Sequence, residues 1–481
     1  MSRSEGAGFT VAGGDATALA DQISAGAMTC AEAMAAAIAA ACDRESYGAI
    51  CQLEAELGMA AASALDKERR DDPNRFAVRP FAGVPTLAKD LGGPFKGFPV
   101  RAGSRLIDRP DPSADSDLAE RFRNAGFNLF GLTTSPEFGL SLSSEPARGP
   151  LCRNPLDPSR TAGGSSGGAA CAVALGIVAL AHATDAGGSI RVPAACCGLV
   201  GLKPTRGTIP AGPGFANHLG GIASELAVCR SVRDVSQLFD QLRGRAKGPY
   251  ADPSREDRPK RRLRIGVLSD TGTLYPTESG RLEAVVSAVR VAEADGHEVV
   301  PIEWSALEAS VASSSRVFAD IVSVNLASLA DTLKLDLRQA EPLSLAFAER
   351  GRALSAPELW QTLSADVHIS RNLWTLFESI DCLLTPMLAC APPPLGSFST
   401  DHSDTELHLQ KMAAFAPLAS LANVSGFPAL TLPFGCDRDG LPLPIQIFAR
   451  MGEETTLFRL ASRLEAEDRW RHPYAVAGLA A

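Results

Sequence analysis

The sequence predicts an α/β protein in which a sheet is covered by helices on both faces. Three observations carry that expectation. Short apolar runs alternate along the chain with segments of helical spacing, the pattern of strands connected by crossover helices. The stretch 264–302 reads as a complete β-α-β unit. The 481 residues are 45% hydrophobic and 21% charged, with no internal repeat, as expected of a chain with a sizeable buried core.

Residues 15–70 are Ala-rich and apolar at Ala16, Leu19, Ile23 and Ala27, then from Ala31 to Cys42 and from Ala55 to Leu65, predicting two or three helices. Phe81 to Leu87 reads as a short strand followed by a turn, and Leu118 to Leu132 as a helix running into a strand, 128–132. A helix, Gly167 to Leu175, starts directly after a Gly-rich loop, and Ile177 to Thr184 is strand-like. After Gly207 the spacing loosens. The β-α-β unit follows, with strands Arg264 to Leu268 and His297 to Ile302 flanking a helix from about Glu278 to Asp295. Residues 305–375 are helical, with few glycines, and are expected to form a variable helical layer or lid. Strands at 380–385, 428–433 and 443–448 and a helix from Thr455 to Glu465 complete the pattern, and residues 1–481 are read as one domain.

Composition excludes several functions. The balance of 46 basic against 55 acidic residues, a net charge of −9, argues against nucleic-acid binding, which needs a basic face. The one basic cluster, Arg255 to Arg264, lies beside Pro253 and Pro259 and reads as a solvated linker. The N-terminus has no basic region followed by an apolar core. The longest apolar run, Ala169 to Ala181, is shorter than the roughly 20 residues that cross a bilayer. Eleven cysteines, an odd number without any Cys-x-x-Cys pair, suggest neither a disulfide framework nor a zinc site, and adjacent Cys196 and Cys197 are read as packed thiols. A cytoplasmic protein without membrane association is expected.

The chemistry concentrates in two Gly-rich loops. One is Arg160-Thr-Ala-Gly-Gly-Ser-Ser-Gly-Gly168; the other is Thr184-Asp-Ala-Gly-Gly-Ser-Ile-Arg-Val-Pro193. Each presents a serine, Ser165 and Ser189. Upstream, Lys89 ends the apolar run of Gly83-Val-Pro-Thr-Leu-Ala-Lys-Asp90. Two serines and a lysine form a proton relay that makes a serine nucleophilic without histidine. Gly163-Gly-Ser-Ser-Gly167 also matches the G-x-S-x-G nucleophile elbow, which would make Ser165 the nucleophile and require a downstream Asp and His. None of the seven histidines (His182, His218, His297, His368, His402, His408, His472) lies in a context that marks a base. The chain has no G-x-x-x-x-G-K-[ST] and no H-E-x-x-H.

These residues resemble the amidase signature family. The core of the match is Gly163 to Gly168, Asp185 to Ala194 and Cys197-Gly-Leu-Val-Gly-Leu-Lys-Pro-Thr-Arg-Gly207, with the serines 189 − 165 = 24 positions apart. Lys89-Asp90, Asn154-Pro155, Asp381 to Pro386, Asn423 to Ala429 and Gly440-Leu-Pro442 support it, so that only the 305–375 layer lies outside. The resemblance implies an α/β/α sandwich with a large mixed twisted sheet. It implies that Ser189 is the nucleophile, that Ser165, following a cis peptide, bridges it to Lys89, and that a neutral Lys89 is the base. The N–H groups of Ala186, Gly187, Gly188 and Ser189 are implied as the oxyanion hole. Asp185 and Arg191 are read as holding the loop and Lys203 as structural. Ser166 is read as a possible hydrogen-bonding support without a step of its own.

Substrate contacts are expected from Phe138, Gly139 and Ser141, from Ile209 to His218 and from the 305–375 layer. Their apolar members (Phe138, Leu140, Phe215, Leu326, Leu329) suggest an uncharged, partly hydrophobic group. The resemblance implies hydrolysis of small amides, with carbamates (urethanes) or esters as further substrates, without metal or cofactor, by a monomer or homodimer. Three positions depart from the family pattern: Ala162 for the common proline, Pro444 for glycine, and Val192 where the tRNA-dependent amidotransferase subunits carry glutamine. Val192 argues against the alternative, a subunit releasing ammonia from glutamine within a complex. The run Asp185 to Arg206 is similar to the branch containing cyclic amide-oligomer and aryl-amide hydrolases.

Overall fold

Two sheets organise the computed structural model, which describes residues 13–107, 112–210, 219–244 and 262–480. The smaller has the order β1-β3-β2, from β1 (Ile50–Leu53), β2 (Pro85–Lys89) and β3 (Asn128–Thr133). The larger is built from β4 (Leu180–Asp185), β5 (Val200–Lys203), β6 (Ser224–Cys229), β7 (Arg264–Val267), β8 (Glu298–Pro301), β9 (Cys382–Pro386), β10 (Ala429–Cys436) and β11 (Pro442–Ala449). Its order is β4-β6-β5-β10-β11-β9-β7-β8. Pairing is antiparallel from β4 to β9 and parallel through β9, β7 and β8, so the sheet is mixed. The parallel edge is the expected β-α-β unit, with helix Ser279–Ala294 as its crossover.

The strands are apolar on both sides because helices cover both faces, giving an α/β/α sandwich. Helices Gly167–Ala174 and Arg191–Cys196 pack together and against β4, β5 and β10. Helices Val232–Leu242, Ser279–Ala294 and Glu454–Glu465 form the other layer, against β5, β6, β9, β10 and β11. The 305–375 region resolves into helices Glu308–Leu333, Pro342–Ala353 and Ala356–Phe377; the first packs on the other two, and the first and third pack on Ala419–Ser425.

Several expectations are adjusted. The strand expected at Phe81–Leu87 forms at Pro85–Lys89, which places Lys89 on its last residue. The one expected from Ile177 begins at Leu180. The Ala-rich start gives three helices, Ala16–Ala25, Cys30–Asp43 and Ala55–Asp71, and also β1, whose four residues the helical reading passed over. β6 lies in the stretch where the spacing loosened; its place is set by pairing with both β4 and β5 rather than by a local pattern. All eleven cysteines are free thiols, Cys196 and Cys197 buried. No helix among the described residues is long and apolar enough to cross a membrane. Of the basic cluster, residues 255–261 lie outside the described residues.

Candidate active site

β2 delivers Lys89 to the edge of the large sheet. The Thr86 hydroxyl donates to the Leu180 carbonyl at 3.0 Å, and the Lys89 N–H donates to His182 Nδ1 at 3.1 Å, pinning β2 alongside β4. With Nδ1 accepting, the His182 proton sits on Nε2, 3.0 Å from the Glu225 carboxylate. His182 is thus a buried link between β2 and β6.

The Lys89 side chain is fully buried, its Nζ 2.7 Å from Ser165 Oγ and 2.8 Å from Thr184 Oγ1. Burial pushes its pKa down to about 7, against the upward pull of the carboxylates of Asp185, Glu225 and Asp90. A substantial neutral fraction, and hence a lone pair, is therefore available at neutral pH.

Ser165 follows a cis Gly164–Ser165 peptide, the geometry implied by the resemblance. Only glycine fits at 164, where a Cβ would stand 2.6 Å from the Ser141 carbonyl oxygen and the Ser143 nitrogen. Ser144 holds the loop from below, donating to the carbonyls of Gly163 and Ser165 and accepting from the Gly167 N–H. Ser166 Oγ lies against the Thr184 backbone, tying the two Gly-rich loops together.

The second loop is shaped by a buried ion pair. The Asp185 carboxylate accepts from the N–H groups of Gly188 at 2.7 Å, Ile190 at 3.2 Å and Arg191 at 3.3 Å, and from Arg191 Nε and Nη2 at 3.0 Å each. Burial alone would raise this carboxyl, but the Arg191 guanidinium, with hydrogen bonds from Arg191, Asn423 and Gly188, holds it at about 2. Arg191 also donates to Gln446, Asn423 and the Ala419 carbonyl. Both residues hold the loop, as expected. Lys203 is likewise buried, its pKa pushed down to about 7 by burial, and donates to the Pro204 carbonyl.

Ser189 is the most accessible of the three, 8% exposed against 0% for Lys89 and 2% for Ser165. Among the described residues its Oγ has no hydrogen-bond partner, and the N–H groups of Ala186, Gly187 and Ser189 have no acceptor. Gly188 is a correction: its N–H is committed to Asp185, so it shapes the loop rather than serving as a free oxyanion donor.

Phe138 and Gly139 form a turn with φ of 51° and 73°. A Cβ on Gly139 would lie 3.4 Å from Ser165 Oγ, so this turn borders the site. Ser141 is buried, its Oγ 3.3 Å from the Phe398 carbonyl oxygen and from Ser143 Oγ. Leu140 and Leu326 belong to the core, whereas Phe215 and His218 lie outside the described residues. Beside Gly187 lies a concavity whose lining includes Leu142, Phe318, Leu409, Met412, Ser315 and Ser420. Ser315 and Phe318 fall in the 305–375 layer expected to contact substrate; Leu409, Met412 and Ser420, on other helices, were not singled out, since helical residues facing a cavity keep the same apolar period as core residues. The sequence reading also missed Thr184 and Glu225 beside Lys89, which no local motif marks.

Comparison with known proteins identifies the family. The Amidase family model matches residues 32–458. The 6-aminohexanoate-cyclic-dimer hydrolase of Paenarthrobacter ureafaciens is 30% identical over 500 residues, covering 95% of each chain. The structure of a 6-aminohexanoate cyclic dimer hydrolase complexed with substrate superposes with a TM-score of 0.85 at 28% identity, covering 96% of this chain and 99% of the other. A bacterial aryl acylamidase shares the fold, with a TM-score of 0.84 at 24% identity, covering 98% and 100%. Sequence, fold and relatives agree: the chain belongs to the amidase signature family, enzymes that hydrolyse amide C–N bonds.

Proposed function

We propose that the chain is a stand-alone cytoplasmic serine hydrolase that cleaves C–N bonds of small, uncharged, partly hydrophobic amides through Ser189, Ser165 and Lys89. The observation that carries this reading is the buried Lys89 amine, 2.7 Å from Ser165 Oγ and titrating near neutrality. It stands beneath a loop whose serine is the least buried of the three and whose amides at Ala186, Gly187 and Ser189 have no acceptor among the described residues.

Neutral Lys89 takes the Ser165 proton while Ser165 takes that of Ser189, whose Oγ attacks the substrate carbonyl carbon. The developing oxyanion accepts from the free loop amides, each such donor being worth roughly 3–4 kcal/mol in a dry site. The proton returns through Ser165 to the leaving nitrogen, the C–N bond breaks, and an ester to Ser189 remains. Water, deprotonated along the same relay, releases the acid. Lys89 works from the neutral form, so burial and the absence, among the described residues, of a carboxylate paired with Nζ are part of the mechanism.

The concavity beside Gly187 supports a neutral apolar acyl or amine group, since Leu142, Phe318, Leu409 and Met412 offer no charge and Ser315 and Ser420 only hydroxyls. The relative that acts on a cyclic amide dimer, a substrate without free charged ends, fits the same chemistry. Carbamates and esters present the same carbonyl to Ser189 and come within reach of the same acyl-enzyme route.

The test is the purified chain, alone, against aryl amides, linear and cyclic aliphatic amides, aryl carbamates and glutamine, with Ser189→Ala as blank. Turnover of an amide that vanishes in Ser189→Ala is expected. Activity confined to glutamine, or dependent on an added partner, would replace this reading with the amidotransferase one; retained turnover in Ser189→Ala would end the Ser189 mechanism.

A further inference from the structure

Glu137, in the loop Ser135-Pro-Glu-Phe-Gly139, is 3% exposed and has no part in the relay from Ser189 to Lys89. Three hydrogen bonds nevertheless converge on its carboxylate. The Ser104 hydroxyl donates to Oε1 at 2.7 Å, and the Glu341 N–H and the Ser344 hydroxyl donate to Oε2 at 2.8 and 2.6 Å. A carboxylate is costly to bury unless its oxygens are satisfied in this way. Glu341 caps the start of helix Pro342–Ala353, and Ser344 is its third residue. A helix with glutamate at that third position can cap itself. Here Ser344 stands there, and Glu137 supplies the carboxylate from 204 positions before Glu341. The positive end of the helix favours the charge.

Through this helix Glu137 reaches one side of the site. At Gly351, helix Pro342–Ala353 lies directly on helix Glu308–Leu333, since a Cβ there would stand 2.1 Å from the Ser323 carbonyl oxygen. With no side chain between them, a shift of one helix displaces the other. Helix Glu308–Leu333 in turn sets Phe318 so close to Gly187 that a Cβ on the glycine would stand 2.7 Å from the ring. It also places Ser315 and Phe318 in the lining of the concavity.

Through its own backbone Glu137 reaches the other side. The next two residues form the turn beside Ser165, and Phe138, with φ of 51°, is in a conformation that its surroundings must hold. Two carboxylates do so. The Phe138 N–H donates to the Ala102 carbonyl at 2.8 Å, in a turn whose Gly103 N–H donates to Asp90 at 2.9 Å. Asp90 follows Lys89 and ties the turn to β2, whereas Glu137 ties it to the helical layer.

We propose that Glu137 is a positioning residue for the hydrolysis: it fixes the Phe138–Gly139 turn and the Phe318 wall to one carboxylate, and so sets how firmly a substrate chain is gripped in the concavity. The substrate side of this inference rests on the Ser189 reading; the coupling of the two walls rests on the hydrogen bonds alone. Glu137 touches no reacting atom. Its loss weakens the binding of a group long enough to enter the concavity and leaves the chemistry at Ser189 in place. Glutamine is the conservative replacement, because its carbonyl can accept from Glu341 and Ser344 while its amide donates to the Ser104 hydroxyl.

The experiment compares the parent with Glu137→Ala, Glu137→Gln and Ser344→Ala on acetamide, hexanamide and N-hexylacetamide, with kcat and KM resolved. The parent's preference for the better of the two long amides over acetamide, as a ratio of kcat/KM, should fall about tenfold in Glu137→Ala and Ser344→Ala through a raised KM, and return in Glu137→Gln. Hydrogen exchange should show residues 138–142 and 315–323 losing protection together in Ser344→Ala, with 282–292 unmoved as the reference. An unchanged ratio beside a lowered melting temperature, a loss confined to kcat, a Glu137→Gln as impaired as Glu137→Ala, or one segment loosening without the other would each overturn the proposal. Ser344→Ala removes a single hydroxyl and carries the test where Glu137→Ala does not fold. A parent inert on every amide would end the Ser189 reading instead, and the exchange comparison would still decide whether Glu137 couples the two walls.

Discussion

Replacing Lys89 by methionine tests whether the amine is held neutral by the fold. A pKa lowered from 10.5 to about 7 represents up to about 5 kcal/mol of folding free energy lost to burial, at roughly 1.4 kcal/mol per unit. Between these two values the unfolded chain binds the extra proton and the folded one does not, so this term makes stability rise with pH across the window. The penalty is complete below pH 7 and gone above about 10.5. Moving from pH 7 to pH 10 should therefore relieve about 3 kcal/mol in the parent and none in Lys89→Met. Losing the contacts to Ser165 and Thr184 also costs stability, but equally at both pH values, and it cancels in the comparison. An unfolding entropy near 2.1 cal/mol/K per residue, over 481 residues, makes 1 kcal/mol about 1 °C. The melting temperature of Lys89→Met minus that of the parent should thus be about 3 °C smaller at pH 10 than at pH 7. Calorimetry at the two pH values measures it. A difference independent of pH, or one that grows toward pH 10, would refute a neutral buried Lys89, and with it the proposed base.

The same amine sets two kinetic expectations. The acid limb of kcat/KM should rise with pH through an inflection near 7, as Lys89 loses its proton in the free enzyme, and Glu225→Gln should move that inflection to lower pH by removing a carboxylate that pulls the Lys89 pKa up; a limb that stays in place in the variant would separate Glu225 from the base. At Gly187 a Cβ would stand 2.7 to 3.1 Å from three ring atoms of Phe318, so Gly187→Ala should lower kcat/KM by about tenfold or more. Adding Phe318→Leu should restore part of that loss, and strictly additive effects measured in the double variant would show that the two side chains do not meet in the working site.

The parts of the site that were legible in the sequence are those whose chemistry is local. Gly163 to Gly168 and Asp185 to Arg191 are runs in which the backbone itself acts, so residue identity and spacing carry the information. Lys89 stood out as a charge closing an apolar run. What escaped the reading depends on folding partners. Glu225 reaches Lys89 only because β6 pairs with β4 and brings it to His182, 43 positions away in sequence. The commitment of the Gly188 amide to Asp185 arises when the loop closes on that carboxylate, which no spacing rule shows. In the fold, the β-α-β edge was legible through its alternating periods, whereas β1 and β6, four and six residues long, take their form from neighbouring strands.

The ion pair beneath the Ser189 loop also sets the order in which the enzyme comes to life on the ribosome. Asp185 and Arg191 are made early, yet Arg191 finds Ala419, Asn423 and Gln446 only in the last fifth of the chain, and Asn423 in turn donates to the Asp185 carbonyl and carboxylate. β10 must also enter between β5 and β11. A nascent chain that already contains Lys89, Ser165 and Ser189 therefore lacks the clamp that fixes the Ser189 loop. The clamp around Arg191 is complete only once Gln446 has been made, so a fragment ending before residue 446 lacks part of it.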